Sequence, residues 1–187
     1  MNFKEFSKLY KISRIPNHSN YERNIKKYRL DKNENTYDKL FSTFKNIIKK
    51  INQNDICSYP NLKKLYGIIS KVENLNKNQI LVTSGADSAL KLIFEALIKK
   101  KDKIIITDPS FAMYDIYSKL FDTNCLRLRY IKENDRFKLK IDILKKLVKN
   151  NKIKAIFLPN PDSPSGHVFN TSELKNLINF CNEKLIF

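Results

Sequence analysis

Several things are scarce in this sequence, and each absence narrows the reading. No apolar run approaches the roughly 20 residues that a membrane-spanning helix requires. The opening stretch MNFKEFSKLYKIS has no signal-peptide apolar core. Together these lead us to expect a cytoplasmic protein with no membrane partner. Cysteine is limited to Cys57, Cys125 and Cys181, an odd number with no CxxC and no Cys/His cluster. A complete disulfide set is therefore excluded, no metal ligands are expected, and the three thiols read as small core residues in a reducing compartment. The two histidines, His18 and His167, lie far apart with no catalytic partners in view, and both read as surface residues. Neither an internal repeat nor a low-complexity linker interrupts the chain.

Acid is also in short supply, with 19 Asp and Glu against 36 Lys and Arg, a formal net charge of +17. Such an excess fits nucleic-acid binding through counterion release. Here, however, the basic residues are mostly lysines spread along helices among many Asn and Ile, the mark of a compositional bias at exposed positions. No specific nucleic-acid partner is expected, although anionic ligands in general are favoured.

What is present is periodic. With 187 residues, 42% of them apolar, the chain suffices for one domain with a sizeable core. Its organising stretch is ILVTSGADSALKLIFEALI, residues 80–98. Ile80 to Thr83 read as a buried strand, Ser84 and Gly85 as a tight turn, and Leu90, Ile93, Phe94, Leu97 and Ile98 as one face of a helix. A helix entered from such a turn offers unpaired N–H groups and positive potential, which stabilise an anion by about 0.5–2 kcal/mol. Asp87 also reads as an ordinary first-turn acid.

Around this stretch the apolar spacing predicts further elements. Leu40, Phe41, Phe44, Ile47, Ile48 and Ile51 mark a helix over 37–51, and Leu62, Leu65, Tyr66, Ile69 and Val72 mark a second. Residues 103–107 (KIIIT), 126–130 and 154–158 (KAIFL) read as strands, the middle one nearer an edge. Residues 111–121 form a helix with Met113, Tyr114, Tyr117, Leu120 and Phe121 inward. Asp142 caps another that buries Ile143, Leu144, Leu147 and Val148, and Asn170 or Thr171 starts one carrying Leu174, Leu177, Ile178 and Cys181. Leu185 to Phe187 begin one more strand. Strands alternating with helices imply a three-layer α/β/α fold on a mostly parallel sheet. Ligands of such sheets sit beyond the carboxyl ends of the strands. The loops 84–87, 108–111 and 160–166 are expected to meet there.

In order and spacing, five segments resemble the class I and II, fold-type I aminotransferases, most nearly their histidinol-phosphate aminotransferase branch. They are RLDKNEN (29–35), SYPNLKKLY (58–66), LVTSGADSALKLIFEAL (81–97), DPSFAMYDIYSKLF (108–121) and NPDSPSG (160–166). The resemblance implies pyridoxal 5'-phosphate as cofactor, amino-acid and 2-oxo-acid substrates, and a homodimer. It divides the chain into an N-terminal arm, 1–28, and the first part of the large, cofactor-binding domain, 29–187. It also implies that Gly85, Ala86 and Asp87 hold the cofactor phosphate, that Phe111 stacks on the pyridine ring, and that Tyr59 reaches toward the partner subunit's phosphate. RLDKNEN would lie near the substrate entrance.

Two departures stand beside the resemblance. Where the family usually has the asparagine that donates to the cofactor's ring oxygen, this chain has Ser163, a shorter donor. Asn160 would then serve to orient the loop. The family's pyridine-nitrogen aspartate, Schiff-base lysine and arginine motifs find no match, so no catalytic residue is assigned and the chain by itself is expected to be inactive. A complementary C-terminal chain, or a non-catalytic remnant that binds a partner, are the readings left open. The resemblance further leaves the first strand, Ile80 to Thr83, without its neighbour, and marginal stability is the expected result.

Overall fold

The structure, a computed structural model, describes residue 35 and residues 37–183. The expected N-terminal arm, nearly all of RLDKNEN, the Leu185 to Phe187 strand and His18 lie outside the described residues. The chain divides into two units, one of Ser19–Val82 and one of Met1–His18 with Thr83–Phe187.

The second unit is organised by strand β1 (Lys103–Asp108), which pairs in parallel with β2 (Asn124–Arg129) on one side and β5 (Ile153–Phe157) on the other. Ile104, Ile105, Ile106 and Thr107 are completely buried, because a central parallel strand is covered on both faces. Burying each isoleucine is worth about 1.5–3 kcal/mol. The alternation of the strand sends these side chains into two cores. Ile104 and Ile106 join Ala155 and Phe157 against helices α4 (Ala86–Leu97) and α5 (Ala112–Leu120), through Phe94, Ile98, Tyr114 and Tyr117. Ile105 joins Leu128 and Ile153 against helices α6 (Ile141–Asn150) and α7 (Thr171–Glu183), through Leu144, Val148 and Leu177. The result is the expected three-layer arrangement. β2 is the edge its alternating Leu and Arg implied, with Arg127 and Arg129 exposed. Between β2 and α6 a hairpin intervenes, β3 (Ile131–Glu133) and β4 (Arg136–Lys138). Its turn residues Asn134 and Asp135 both have positive φ, 47° and 59°, as a two-residue hairpin turn requires. α7 begins with a reciprocal cap in which Asn170 Oδ1 accepts from Glu173 N–H and Glu173 Oε2 from Asn170 N–H, each at 2.9 Å.

The first unit is helical, with α1 (Asp38–Ile48), α2 (Gln53–Cys57), α3 (Lys63–Glu73) and a 3-10 turn at Lys77–Gln79. α2 is closed by the Asn52–Asp55 capping box.

Some expectations need correction. Residues 80–83 form no strand: Ile80 is extended (φ −117°, ψ 132°), but no described strand lies alongside, and the Val82 N–H donates to the Tyr66 hydroxyl at 3.1 Å instead. Helix α6 is capped at Lys140, so Asp142 falls inside the first turn, where its charge still complements the helix dipole. The apolar faces of α1 and α3 bury no residue. Leu120 and Ile143 are exposed rather than inward, since each lies at the margin of its helix's covered stripe. Cys57 is exposed, while Cys125 and Cys181 are half-buried and burial pushes both thiols up. His167 is not a plain surface residue: its ring meets Phe169 edge-on at 4.5 Å and Tyr130 at 5.9 Å.

Candidate functional site

The loops after β1 and β5 emerge from neighbouring parallel strands and therefore share one rim. A buried carboxylate joins them. Asp162 is only 4% exposed, and its side chain accepts hydrogen bonds from the Tyr130 hydroxyl, at the end of β2, and from Ser165 Oγ at 2.7 Å. Thr107 Oγ1, in the last turn of the pleat of β1, lies 3.5 Å from Asp162 Oδ1 and 2.8 Å from Ser110 Oγ. The backbone closes the same loop: Asp162 N–H donates to His167 C=O and Gly166 N–H to Asp162 C=O, both at 2.9 Å. Gly166 takes φ 68°, a left-handed conformation suited to glycine. Asn160 Oδ1 accepts from Phe169 N–H at 2.9 Å, which is the loop-orienting role expected of it.

Hydroxyl donors around Asp162 supply the hydrogen bonds that a buried carboxylate demands. The effect on Tyr130 is the reciprocal one. Burial first, then the hydrogen bond to Asp162, push its hydroxyl up to about 12, so it stays a proton donor throughout the neutral range. Tyr114 is also raised, by burial and then by the charge of Asp162.

The third loop enters helix α4. Gly85, at its N-cap, has φ 87° and ψ 178°, a backbone conformation essentially confined to glycine. The glycine at the N-cap has no side chain with which to close this helix, its own N–H donates to the Thr83 carbonyl at 2.8 Å, and the positive end of the helix dipole lies at this turn. Ala86 is exposed and Asp87 half-buried. The Asp87 carbonyl accepts from the Tyr117 hydroxyl at 3.0 Å, which ties the start of α4 to α5. Phe111 is the N-cap of α5, half-buried, with its ring edge-on to Tyr114 at 6.2 Å. Ser163 is exposed beside the buried Asp162.

The structure thus links the loops carrying Gly85, Ala86, Asp87, Phe111 and Ser163 through Tyr117, Tyr114, Thr107 and Asp162. Tyr59 belongs to the other unit and is fully exposed. The sequence reading missed Asp162, Thr107 and Tyr130. An acid between prolines and serines does signal a side-chain-closed turn, but nothing in that pattern announces its burial. Among the described residues no group of His, Cys, Asp and Glu forms a metal cluster, and no helix is long and apolar enough to cross a membrane.

This arrangement suits an anionic, planar ligand. In general the positive end of a helix can accommodate a phosphate, an aromatic ring can offer a platform, and a hydroxyl on a fixed loop can offer a donor.

Comparison with known proteins gives the same direction. Residues 25–187 match the family described as aminotransferase class I and II. The histidinol-phosphate aminotransferase of Clostridium beijerinckii is 30% identical over 163 residues, covering 84% of this chain and 42% of that protein. That of Buchnera aphidicola subsp. Schizaphis graminum is 36% identical over 138 residues, 72% of this chain and 36% of that one. The chain thus spans about two fifths of the length of the curated relatives it matches. Among solved structures, alanine aminotransferase from Pyrococcus furiosus superposes with a TM-score of 0.63 at 26% identity, over 79% of this chain and 38% of that one. Tyrosine aminotransferase from Leishmania infantum gives 0.65 at 21% identity, over 83% and 45%, a likeness of fold alone.

Proposed function

The chain belongs to the class I and II aminotransferase family, and from that premise we propose that it is the cofactor-holding part of a pyridoxal-phosphate-dependent aminotransferase. Its substrates in this reading are an amino acid or amino-phosphate and a 2-oxo acid. The observation that carries the proposal is the uncapped start of α4 at Gly85, tied by Tyr117 to the helix that Phe111 opens.

Bound pyridoxal phosphate supplies an electron sink for the carbon that loses its proton and a carrier for the amino group. The residues of this chain bind and orient. The Gly85 N–H is taken by the Thr83 carbonyl at 2.8 Å, so Gly85 would shape the turn while backbone N–H groups of Ala86 and Asp87 would hold the phosphate. The Phe111 ring would fix the plane of the pyridine, and the Ser163 hydroxyl would donate toward the ring oxygen. Asp162, whose Oδ2 accepts from both Tyr130 and Ser165, would fix the loop that carries Ser163. Proton transfer at the substrate carbon is not assigned to any residue here, because none of the chain's lysines occupies the family's Schiff-base motif. In this reading the chain's residues bind and orient the cofactor and carry out no amino-group transfer by themselves.

Dimer formation is part of the same proposal. α1 leaves Phe41, Phe44, Ile47 and Ile48 each more than half exposed, an apolar face of the kind that a partner subunit covers. Tyr59, fully exposed, is free to reach toward the partner subunit's phosphate.

Equilibrium dialysis of the full chain against pyridoxal phosphate and against phosphate-free pyridoxal tests this reading. The phosphorylated form is expected to be retained selectively, Phe111→Ala and Gly85→Ala are expected to weaken retention, and no amino-group transfer is expected. Equal retention of both forms, or turnover by the pure chain, contradicts it.

A further inference from the structure

Away from the loops assigned to the cofactor, a cleft of about 620 Å³ opens between the β3–β4 hairpin and residues 165–168. None of Tyr59, Gly85, Ala86, Asp87, Phe111 and Ser163 lines it. Its size falls in the range of small-molecule sites. Its charges are unevenly satisfied. Asp135 pairs with Lys132 at 2.8 Å, Glu173 accepts from the Asn170 N–H at 2.9 Å, and Lys138 is 3.4 Å from Glu133. Arg136 makes no ion pair with any described residue. Asp135 is thus ion-paired and Glu173 serves a helix cap while keeping its charge, and the cleft holds the unpaired Arg136 guanidinium with Lys138, shared with Glu133, two residues along the same strand.

The rest of the lining is amphipathic. Phe137 and Val168 are exposed apolar groups, and Ser165 brings a hydroxyl. In the same wall His167 holds Nε2 buried with no hydrogen-bond partner among the described residues, a polar atom that a ligand's polar group would satisfy. The hairpin is seated on this wall through Tyr130, edge-on to Phe137 at 6.4 Å and to His167 at 5.9 Å.

We propose that this cleft binds a small organic anion, a phosphate or carboxylate carried on an apolar group, with Arg136 and Lys138 at the anionic end and Phe137 and Val168 against the apolar end. A guanidinium is suited to two-pronged pairing with either anion. The site stands independently of the aminotransferase reading, and its occupant sits against Ser165, whose hydroxyl also grips Asp162.

The test titrates the full chain, isotope-labelled, with phenyl phosphate and with inorganic phosphate, following backbone amide signals. Phenyl phosphate is expected to shift the amides of residues 135–138 and 165–168 saturably and to bind more tightly than inorganic phosphate. Arg136→Gln is expected to weaken it about tenfold, the share of one charge-assisted pair. Lys146→Gln, which removes the same charge from an exposed position on α6, is expected to change nothing. As a second reading, phenyl phosphate should protect Arg136 from phenylglyoxal, followed by mass spectrometry. Shifts spread over all basic surfaces, equal losses in both variants, or no protection of Arg136 overturn the proposal.

Discussion

Helices α1 and α4 are written in the same code and meet different fates. Both carry apolar residues at three- and four-residue spacing. In α4 that stripe includes Phe94, fully buried and stacked 4.8 Å from Phe157 with an interplanar angle of 12°. In α1 the equivalent stripe leaves Phe44 51% exposed, and no residue of the helix is buried. Helical periodicity specifies which face is apolar. Whether that face is covered depends on a neighbour, which α4 has in the sheet and α1 lacks among the described residues. The unit that begins at Thr83 holds its own cores on both sides of β1, whereas the unit that ends at Val82 offers surface to be covered.

This contrast can be broken by substitution, and the largest effects fall on the sheet side. Phe94→Ala is expected to cost about 3–5 kcal/mol in urea unfolding; a loss under about 1 kcal/mol would mean the core beneath α4 is not as described. Asp162→Ala removes the acceptor shared by Tyr130 and Ser165, and about 1–3 kcal/mol should go with it. Gly85→Ala forces a Cβ into a glycine-only conformation at a similar strain of about 1–3 kcal/mol, although open space surrounds the position. Backbone strain alone accounts for that loss, which must appear without any ligand present.

Tyr130 sharpens the comparison through pH. Its hydroxyl is raised from 10.0 to about 12 in the folded chain, so the folded state holds this proton more tightly than the unfolded one. The resulting stability is complete below pH 10.0 and disappears as pH rises toward about 12. Wild type should therefore lose stability faster than Tyr130→Phe across that window; parallel curves would remove the buried hydrogen bond from the account. The smallest effect is expected on the helical side. Phe44→Ser should alter unfolding by no more than about 0.5 kcal/mol while reducing self-association in sedimentation, and a large destabilisation would show that α1 is covered within a single chain.

Much of the layer arrangement was legible because buried parallel strands are written as unbroken aliphatic runs, as in KIIIT and KAIFL, and their covering helices as stripes. The glycine turn that opens α4 was legible too, from its small residues, and so was the helix that Phe111 opens, from its apolar spacing. Other features were not. Strand formation at Ile80 to Thr83 needs a partner that local sequence cannot supply. The β3–β4 hairpin depends on left-handed Asn134 and Asp135, a turn signal weaker than Asn-Gly. Asp162 looked like a loop acid, since its burial arises from Thr107, Tyr130 and Ser165, which are drawn together from three separate segments.

Hydrogen exchange of the full chain, with and without pyridoxal phosphate, tests the account most directly. Slow exchange is expected in β1, β5 and α4 and fast exchange in α1 to α3, with added protection at 84–88 and 160–166 when the cofactor is present. Uniform exchange across both units, or a cofactor that leaves those two loops unchanged, would contradict it.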